Sequence, residues 1–365
     1  MPTKPKAAVV IGRMQPFHMG HKALIDFALD QAEMVVVCLG SAYQPRTSKN
    51  PWTFNERMEM INRVYRGMND TYDKTKLGVA GRIEVVPIRD HMYNDALWIA
   101  EVQNRVYQAV ERWEERTGHE RIYGKVKREE VVLVGHQKDD SSFYLSIFGW
   151  RCIEFPNHGG INATDLREQF LTNGGNMSDD LPVPVRELMG QLRTAQPVFN
   201  DLCDELAFLN KYRSHTQVGE YPVQFITVDS VLVAAGHVLM IKRGGHPGKG
   251  MWALPGGYVN HRETIRDAVL RELKEETAVL VDEETLIRSI AATKVYDAPG
   301  RDLRGRIVTN AFLFKLPDSV DLPKVKGGDD AAEARWISFG DLQQMEGEIY
   351  SDHLHIVNDL LSRGY

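Results

Sequence analysis

Over its first 175 or so residues the chain alternates short β-branched apolar runs with stretches of helical periodicity, and this alternation constrains the fold more than any other feature. Residues 7–11, 34–39, 83–88, 131–134 and 152–155 read as strands, and residues 20–31, 55–65, 96–113 and 165–172 as helices. Strands separated by helices pair in parallel. The pattern therefore predicts an α/β domain built on a doubly wound parallel sheet, whose ligands sit beyond the carboxyl ends of the strands.

The texture then changes. Residues 173–180 are polar and turn-rich, and a helical connector follows, periodic at 185–192 and 202–212. Beyond it come strand-like residues 223–235, a turn at Gly236, a strand at 238–241, a glycine-rich loop, one helix at about 263–277 and a strand at 311–316. That layout predicts a second domain of α+β class. A length of 365 residues is two to three times that of an ordinary domain, so we expect domains over 1–180 and 219–365 joined by a connector over 181–218.

A composition 43% hydrophobic and 26% charged supports sizeable cores and excludes disordered, collagen-like and disulfide-scaffold classes. With 44 Lys and Arg against 50 Asp and Glu, the net charge of −6 gives no reason for whole-molecule attraction to nucleic acid or an anionic membrane. No run approaches the roughly 18 apolar residues of a bilayer span, and the first residues do not read as a signal peptide. Cys38, Cys152 and Cys203 are isolated, and we expect buried thiols in a cytoplasmic protein rather than a disulfide or zinc site. Homo-oligomerisation is left open.

The first chemical constellation closes the first strand: Gly12-Arg13-Met-Gln-Pro16-Phe-His18-Met-Gly20-His21. Gly12 suits a tight turn. His18 and His21, three apart where a helix begins, can share a face beside the helix's free amides and positive dipole end, which suits an anion. The competing reading is that His18 caps the helix and His21 is an ordinary surface residue.

This stretch resembles the H-x-G-H signature of the nucleotidyltransferases, and more narrowly the archaeal-type nicotinamide mononucleotide (NMN) adenylyltransferases with their G-R-x-Q-P-F-H-x-G-H motif. Gly40 to Arg57, containing Lys49-Asn-Pro-Trp-Thr-Phe-Asn-Glu56-Arg57, is similar to that family's second-strand loop. Asn94-Asp95-Ala-Leu-Trp98 is similar to an N-A-L-W segment whose ring stacks on nicotinamide, and Ile161-Asn-Ala-Thr164-Asp-Leu-Arg167 to an I-S-x-T-x-x-R motif. Asp95 stands at the position aligned with the family's Asn, so either Asn94 or Asp95 meets the carboxamide. The resemblance implies ATP and NMN as substrates. Arg13, His18, His21, Lys49 and Arg167 would act at the phosphates, with Gly12, Gly20, Arg57, Trp98 and Thr164 in binding roles. Gly135-His136 would lie at the adenosine, and Mg²⁺ would cover the triphosphate.

The second constellation is Gly257-Tyr-Val-Asn-His-Arg-Glu263 followed, after seven residues, by Arg271-Glu272-Leu-Lys-Glu275-Glu276. Glu272, Glu275 and Glu276 fall on one helix face, and carboxylates crowded in this way suit a hard cation. A solvated face laced with pairs such as Arg271–Glu275 is the alternative. The spacing resembles the Nudix box, with Ala278 where a final Gly is usual, a change that puts the local turn in question.

The resemblance implies Mg²⁺ or Mn²⁺ held by Glu272, Glu275, Glu276 and the Gly256 carbonyl, with Glu272 and Glu276 as catalytic residues. Arg301-Asp302-Leu-Arg304-Gly305 resembles an element of Nudix enzymes that act on ADP-ribose, and Asp330 to Trp336 a strand common near their C-terminus. Glu346 and Glu348 are candidate general bases. The chain as a whole resembles the bacterial bifunctional NMN adenylyltransferase/Nudix hydrolases, small-molecule enzymes that would make NAD and hydrolyse ADP-ribose. The alternatives are a pantetheine-phosphate or cytidylyl transferase in the first domain, and in the second a sensor of ADP-ribose or NAD or a hydrolase of another nucleoside diphosphate derivative.

Overall fold

Strand β2 (Met34–Leu39) is Met-Val-Val-Val-Cys-Leu with every residue buried, which requires cover on both faces. In the computed structural model it lies inside a parallel sheet of order β3-β2-β1-β4-β5, with β1 (Ala7–Gly12), β3 (Ile83–Pro87), β4 (Val131–Gly135) and β5 (Arg151–Glu154). The structure describes residues 4–66, 79–118, 126–135, 145–156, 160–172, 177–220, 222–317, 321–328 and 331–363. Helices α1 (Met19–Gln31), α2 (Phe54–Arg66), α3 (Asp95–Thr117) and α4 (Ala163–Thr172) supply the crossovers and flanks. The doubly wound α/β expectation holds. Chain order reverses between β1 and β4, and the loop leaving the carboxyl end of β1 lies at the switch point such a reversal makes.

The cysteine expectation holds only in part. Cys38 is buried, Cys203 is half-buried, and Cys152 is exposed, because β5 is an edge strand. All three thiols are free.

The chain divides into two compact units, Met1–Cys203 and Asp204–Tyr365, and the division falls inside helix α6 (Val198–Thr216). Much of the expected connector therefore belongs to the first unit. Helix α5 (Val183–Ala195) packs on α2, and Phe199 and Phe170 surround the Trp52 ring at 6.5 and 5.1 Å.

The second unit is a mixed sheet of order β10-β11-β6-β7-β12, from β6 (Gln224–Ala234), β7 (His237–Arg243), β10 (Ile290–Tyr296), β11 (Arg306–Lys315) and β12 (Ala331–Ser338). Short strands β8 (Trp252–Ala253) and β9 (Gly256–Tyr258) pair onto β7 and β6. Helix α7 (Ile265–Thr277) starts two residues later than its periodicity suggests, because Thr264 caps it by accepting the Asp267 amide. Its apolar face, Ala268, Val269 and Leu273, packs on Val228 and Phe314. Helices α8 (Glu283–Arg288), α9 (Phe339–Gln344) and α10 (His353–Arg363), the last packed against β10 and β11, complete the α+β domain. Among the described residues no helix is long and apolar enough to cross a membrane.

Candidate active sites

In the first unit the loop leaving β1 is shaped at Met14, buried and at φ 50°, in the left-handed region. A side chain at Gly12 would meet nothing closer than Met14 at 3.8 Å, so the turn expected of Gly12 falls on Met14 instead. The loop ends at His18, which caps α1: its Nδ1 accepts the Gly20 amide at 3.2 Å, and His21 Nδ1 accepts the His18 amide at 3.4 Å. An amide can only donate, so neither Nδ1 carries a proton, and in the neutral rings the proton sits on Nε2. The capping reading and the anion reading are thus compatible, since capping orders both rings, stacked 3.7 Å apart, at the start of α1. His21 is no surface residue, for burial and then the neighbouring His18 hold it well below the usual histidine range.

Three cations crowd this corner. Burial lowers Arg13, Lys49 and Arg167, the last to about 10, and mutual repulsion adds to it: Arg13 and Arg167 act on Lys49, and Arg13 acts on Arg167. Asp90, beyond the carboxyl end of β3, offsets part of the charge on Arg13 and Lys49. Its carboxylate accepts the Ser41 amide at 3.0 Å and hydroxyl at 2.7 Å, fixing the second-strand loop where Ser41 stands at φ 50°. Arg167 is anchored by donating to the Gln15 carbonyl at 2.7 Å and the Thr164 hydroxyl at 3.0 Å.

Arg57, expected at the ligand, lies beneath the site instead. It is fully buried and donates to the carbonyls of Arg13 (2.6 Å), Gly40 (2.8 Å), Ser41 (3.1 Å) and Thr53 (3.3 Å), tying the loops after β1 and β2 together. Asn94 caps α3 through the Leu97 amide at 3.1 Å, and Asp95 is exposed in the first turn. Trp98 is half-buried with its ring 5.3 Å from Phe148. Gly135 closes β4, where a Cβ would press on the movable tip of Leu145. His136 lies outside the described residues, as does Asp330 in the second unit.

The second site gathers at Gly256 and Gly257 of β9. Glu276 Oε2 accepts the Gly256 amide at 2.8 Å, and a Cβ on Gly257 would lie 2.4 Å from Glu272 Oε1. Burial, followed by the charges of Glu272 and Asp229, pushes Glu276 up to about 8, and burial with Glu275 and Glu263 raises Glu272. Arg271 clasps the group: it donates to Glu263 at 2.7 and 2.9 Å, Glu272 at 2.8 Å, Glu275 at 2.9 Å and the Tyr258 carbonyl at 3.1 Å. These bonds hold Glu263 down at about 2.

Among the described residues no three His, Cys, Asp or Glu side chains gather as a metal site, and Glu275 is half-exposed on Arg271. The donor chemistry nevertheless fits a hard cation. Carboxylate oxygens crowd a strand position where a side chain would clash, and burial with neighbouring carboxylates raises Glu272 and Glu276, a cost that a positive charge would offset. Ala278 takes the left-handed conformation (φ 43°) usual for glycine, so the turn forms despite the substitution.

The Arg301-to-Gly305 element separates into two roles. Arg301 makes a buried bidentate pair with Asp352, at 2.8 Å twice. Asp302 is also buried; Arg304 holds it at about 2 against the upward push of burial, and the Tyr350 hydroxyl donates to it at 3.1 Å. Arg304 also donates to the Tyr258 hydroxyl at 3.0 Å. Glu346 is buried and Glu348 exposed in a 3-10 turn.

Asp90 and Gln15 in the first site, and Asp229 and Tyr258 in the second, were not singled out from the sequence. The one usable signal was position: Asp90 follows the carboxyl end of a parallel strand.

Fold and sites define a two-domain nucleotide enzyme, and known families agree. Residues 9–169 match the family described as cytidylyltransferase-like and residues 224–360 the NUDIX domain. The nicotinamide/nicotinic acid mononucleotide adenylyltransferase of Acinetobacter baylyi is 34% identical over 44% of this chain and 73% of its own. The ADP-ribose pyrophosphatase of Methanocaldococcus jannaschii is 33% identical over 42% of this chain and 79% of its own. Two crystal structures of a bifunctional NMN adenylyltransferase/ADP ribose pyrophosphatase from Francisella tularensis, the second complexed with AMP and manganese, superpose with TM-scores of 0.87 and 0.85. They are 30% and 28% identical and cover 99% of this chain and 100% of their own. The chain belongs to this family of bifunctional NMN adenylyltransferase/ADP-ribose pyrophosphatases.

Proposed function

We infer that the first unit joins NMN to the adenylyl group of ATP, giving NAD and pyrophosphate, and that the second hydrolyses ADP-ribose to AMP and ribose 5-phosphate. The observation that carries this reading is the opposite charge imbalance of the two sites: clustered cations beside two ordered imidazoles in one, crowded carboxylates at the glycines of β9 in the other.

In the first reaction the NMN phosphate oxygen attacks the α-phosphorus of ATP in line as the bond to pyrophosphate breaks, so no protein nucleophile is needed. His18 and His21 donate through Nε2, and Arg13, Lys49 and Arg167 neutralise the growing charge, with Thr164 beside them. Trp98 and Asn94 or Asp95 take the nicotinamide end, and Gly135 the adenosine. Arg57 acts by holding the loops.

In the second reaction Glu272, Glu275, Glu276 and the Gly256 carbonyl would hold Mg²⁺ or Mn²⁺. A divalent ion there would activate water and stabilise the leaving phosphate. Arg271 orients the glutamates, Glu346 or Glu348 takes the water's proton, and Arg304 faces the substrate. Incubation with NMN, ATP and Mg²⁺ should yield NAD and pyrophosphate, and ADP-ribose with Mn²⁺ should yield AMP. Consumption of pantetheine phosphate or CTP substrates with no NAD formed would overturn the first assignment.

A further inference from the structure

In the first unit Lys49 stands at the tip of a tight turn in the loop after β2. The Thr47 amide donates to the Asn50 carbonyl at 3.3 Å, and the Asn50 amide donates back to the Thr47 carbonyl at 3.0 Å, with Ser48 and Lys49 between them. Arg46 closes the base of this turn, because its Nη1 donates across it to the Pro51 carbonyl at 3.1 Å. The turn also carries Asn50, whose Oδ1 accepts from Arg13 at 3.3 Å. A displaced turn would therefore move Lys49 and release Arg13.

Arg46 is itself held in place. Its Nη2 donates to Glu56 Oε1 at 2.7 Å, its guanidinium lies 5.5 Å from the centre of the Phe199 ring, and Gln196 Nε2 donates to the same Glu56 oxygen at 2.9 Å. Glu56 Oε2 accepts the Thr53 amide at 2.8 Å while the Thr53 hydroxyl accepts the Glu56 amide at 3.3 Å, the reciprocal pair that starts α2. Burial pushes the Glu56 carboxyl up, but the Thr53 amide and then Arg46 outweigh it and hold the group below the usual carboxylate range. The planar fork of Arg46 thus ties the base of the turn to the start of α2, and an ammonium, a single point of charge, does not reproduce that geometry. Gln196 caps the end of α5 and Phe199 belongs to α6, both outside the residues 9–169 matched by the cytidylyltransferase-like family.

We propose that Arg46 is a positioning residue for adenylyl transfer: clamped by Glu56 and Gln196, it fixes the turn that presents Lys49 to the phosphates. The proposal rests on the adenylyltransferase reading above. A shift of about 1 Å in a group that meets the transition state costs up to about a hundredfold in rate. The Arg46 and Glu56 side chains are 21% and 12% exposed, and an ion pair only partly withdrawn from water adds little to global stability, so its loss should be read in rate rather than in melting.

The test is a double-mutant cycle in the full chain: wild type, Arg46→Met, Lys49→Met and the variant carrying both. Arg46→Met should lower kcat for NAD formation about ten- to a hundredfold, with the melting transition of the first unit falling by no more than about 4 °C. In the Lys49→Met chain the same change should cost less than about twofold, because the group it positions is already gone. Hydrolysis of ADP-ribose should match wild type throughout. Losses that multiply in the double variant, or a wild-type kcat in either single variant, would overturn the proposal. Should Arg46→Met fail to fold, the same cycle with Gln196→Ala decides by the same criterion, since that change leaves Arg46 on Glu56 and removes one clamp. A wild type that forms no NAD overturns the adenylyltransferase reading instead. Calorimetric binding of ATP with Mg²⁺ by the same four chains then decides the clamp, non-additive losses supporting it and additive losses overturning it.

Discussion

Arg301→Met separates a structural role from a ligand role more sharply than any other single change. The guanidinium donates to both Asp352 oxygens at 2.8 Å, and the two side chains are 4% and 0% exposed. Removing one partner leaves a carboxylate buried without its cation, which typically costs about 3–5 kcal/mol. For a unit this size each kcal/mol moves the melting midpoint by roughly 2–4 °C, so the transition of the second unit should fall by about 10 °C or more. Calorimetry of the full chain, with the adenylyltransferase transition as an internal reference, reads this directly. Adding Asp352→Leu should restore about 2 kcal/mol or more, because replacing both members of a buried pair by apolar groups is close to neutral. A loss below about 1 kcal/mol together with a raised KM for ADP-ribose would refute the reasoning and place the guanidinium on the substrate.

Two further predictions concern α7. Ala278→Gly should stabilise the second unit by about 0.5–1 kcal/mol, since relief of the left-handed strain outweighs the greater unfolded freedom of glycine, and hydrolysis should be unchanged. Glu276, pushed up to about 8, favours the folded state fully below its unfolded value of 4.5 and withdraws that support as pH rises toward 8. In EDTA the Glu276→Gln variant should therefore match wild type near pH 5 and exceed it by about 2 kcal/mol at pH 8, read from urea unfolding at each pH.

The parallel sheet was legible because burial on both faces leaves a near-continuous apolar run, as in residues 34–39, bounded by helical periods. The mixed sheet of the second unit was less so. Its short strands β8 and β9 hold two and three residues and are defined by partners in β7 and β6. His18 and His21 were visible as a spacing, but their order comes from amides that a sequence does not orient. Arg57 and Arg301 were placed at ligands because an arginine beside a motif looks the same whether it meets a phosphate, backbone carbonyls or a buried aspartate. Asp352, the partner of Arg301, stands 51 positions away. Asp90 comes to the first site from the segment after β3, where only its place behind a parallel strand marked it.

The central claim, two independent chemistries in one chain, is tested most directly by measuring NAD formed from NMN and ATP and AMP formed from ADP-ribose in parallel for wild type, His18→Ala and Glu276→Gln. His18→Ala should lower NAD formation by about 10²–10³, as loss of one charge-stabilising donor typically does, and leave AMP formation intact. Glu276→Gln should do the converse. Loss of both activities in either variant, in protein that still melts in two transitions, would contradict the account.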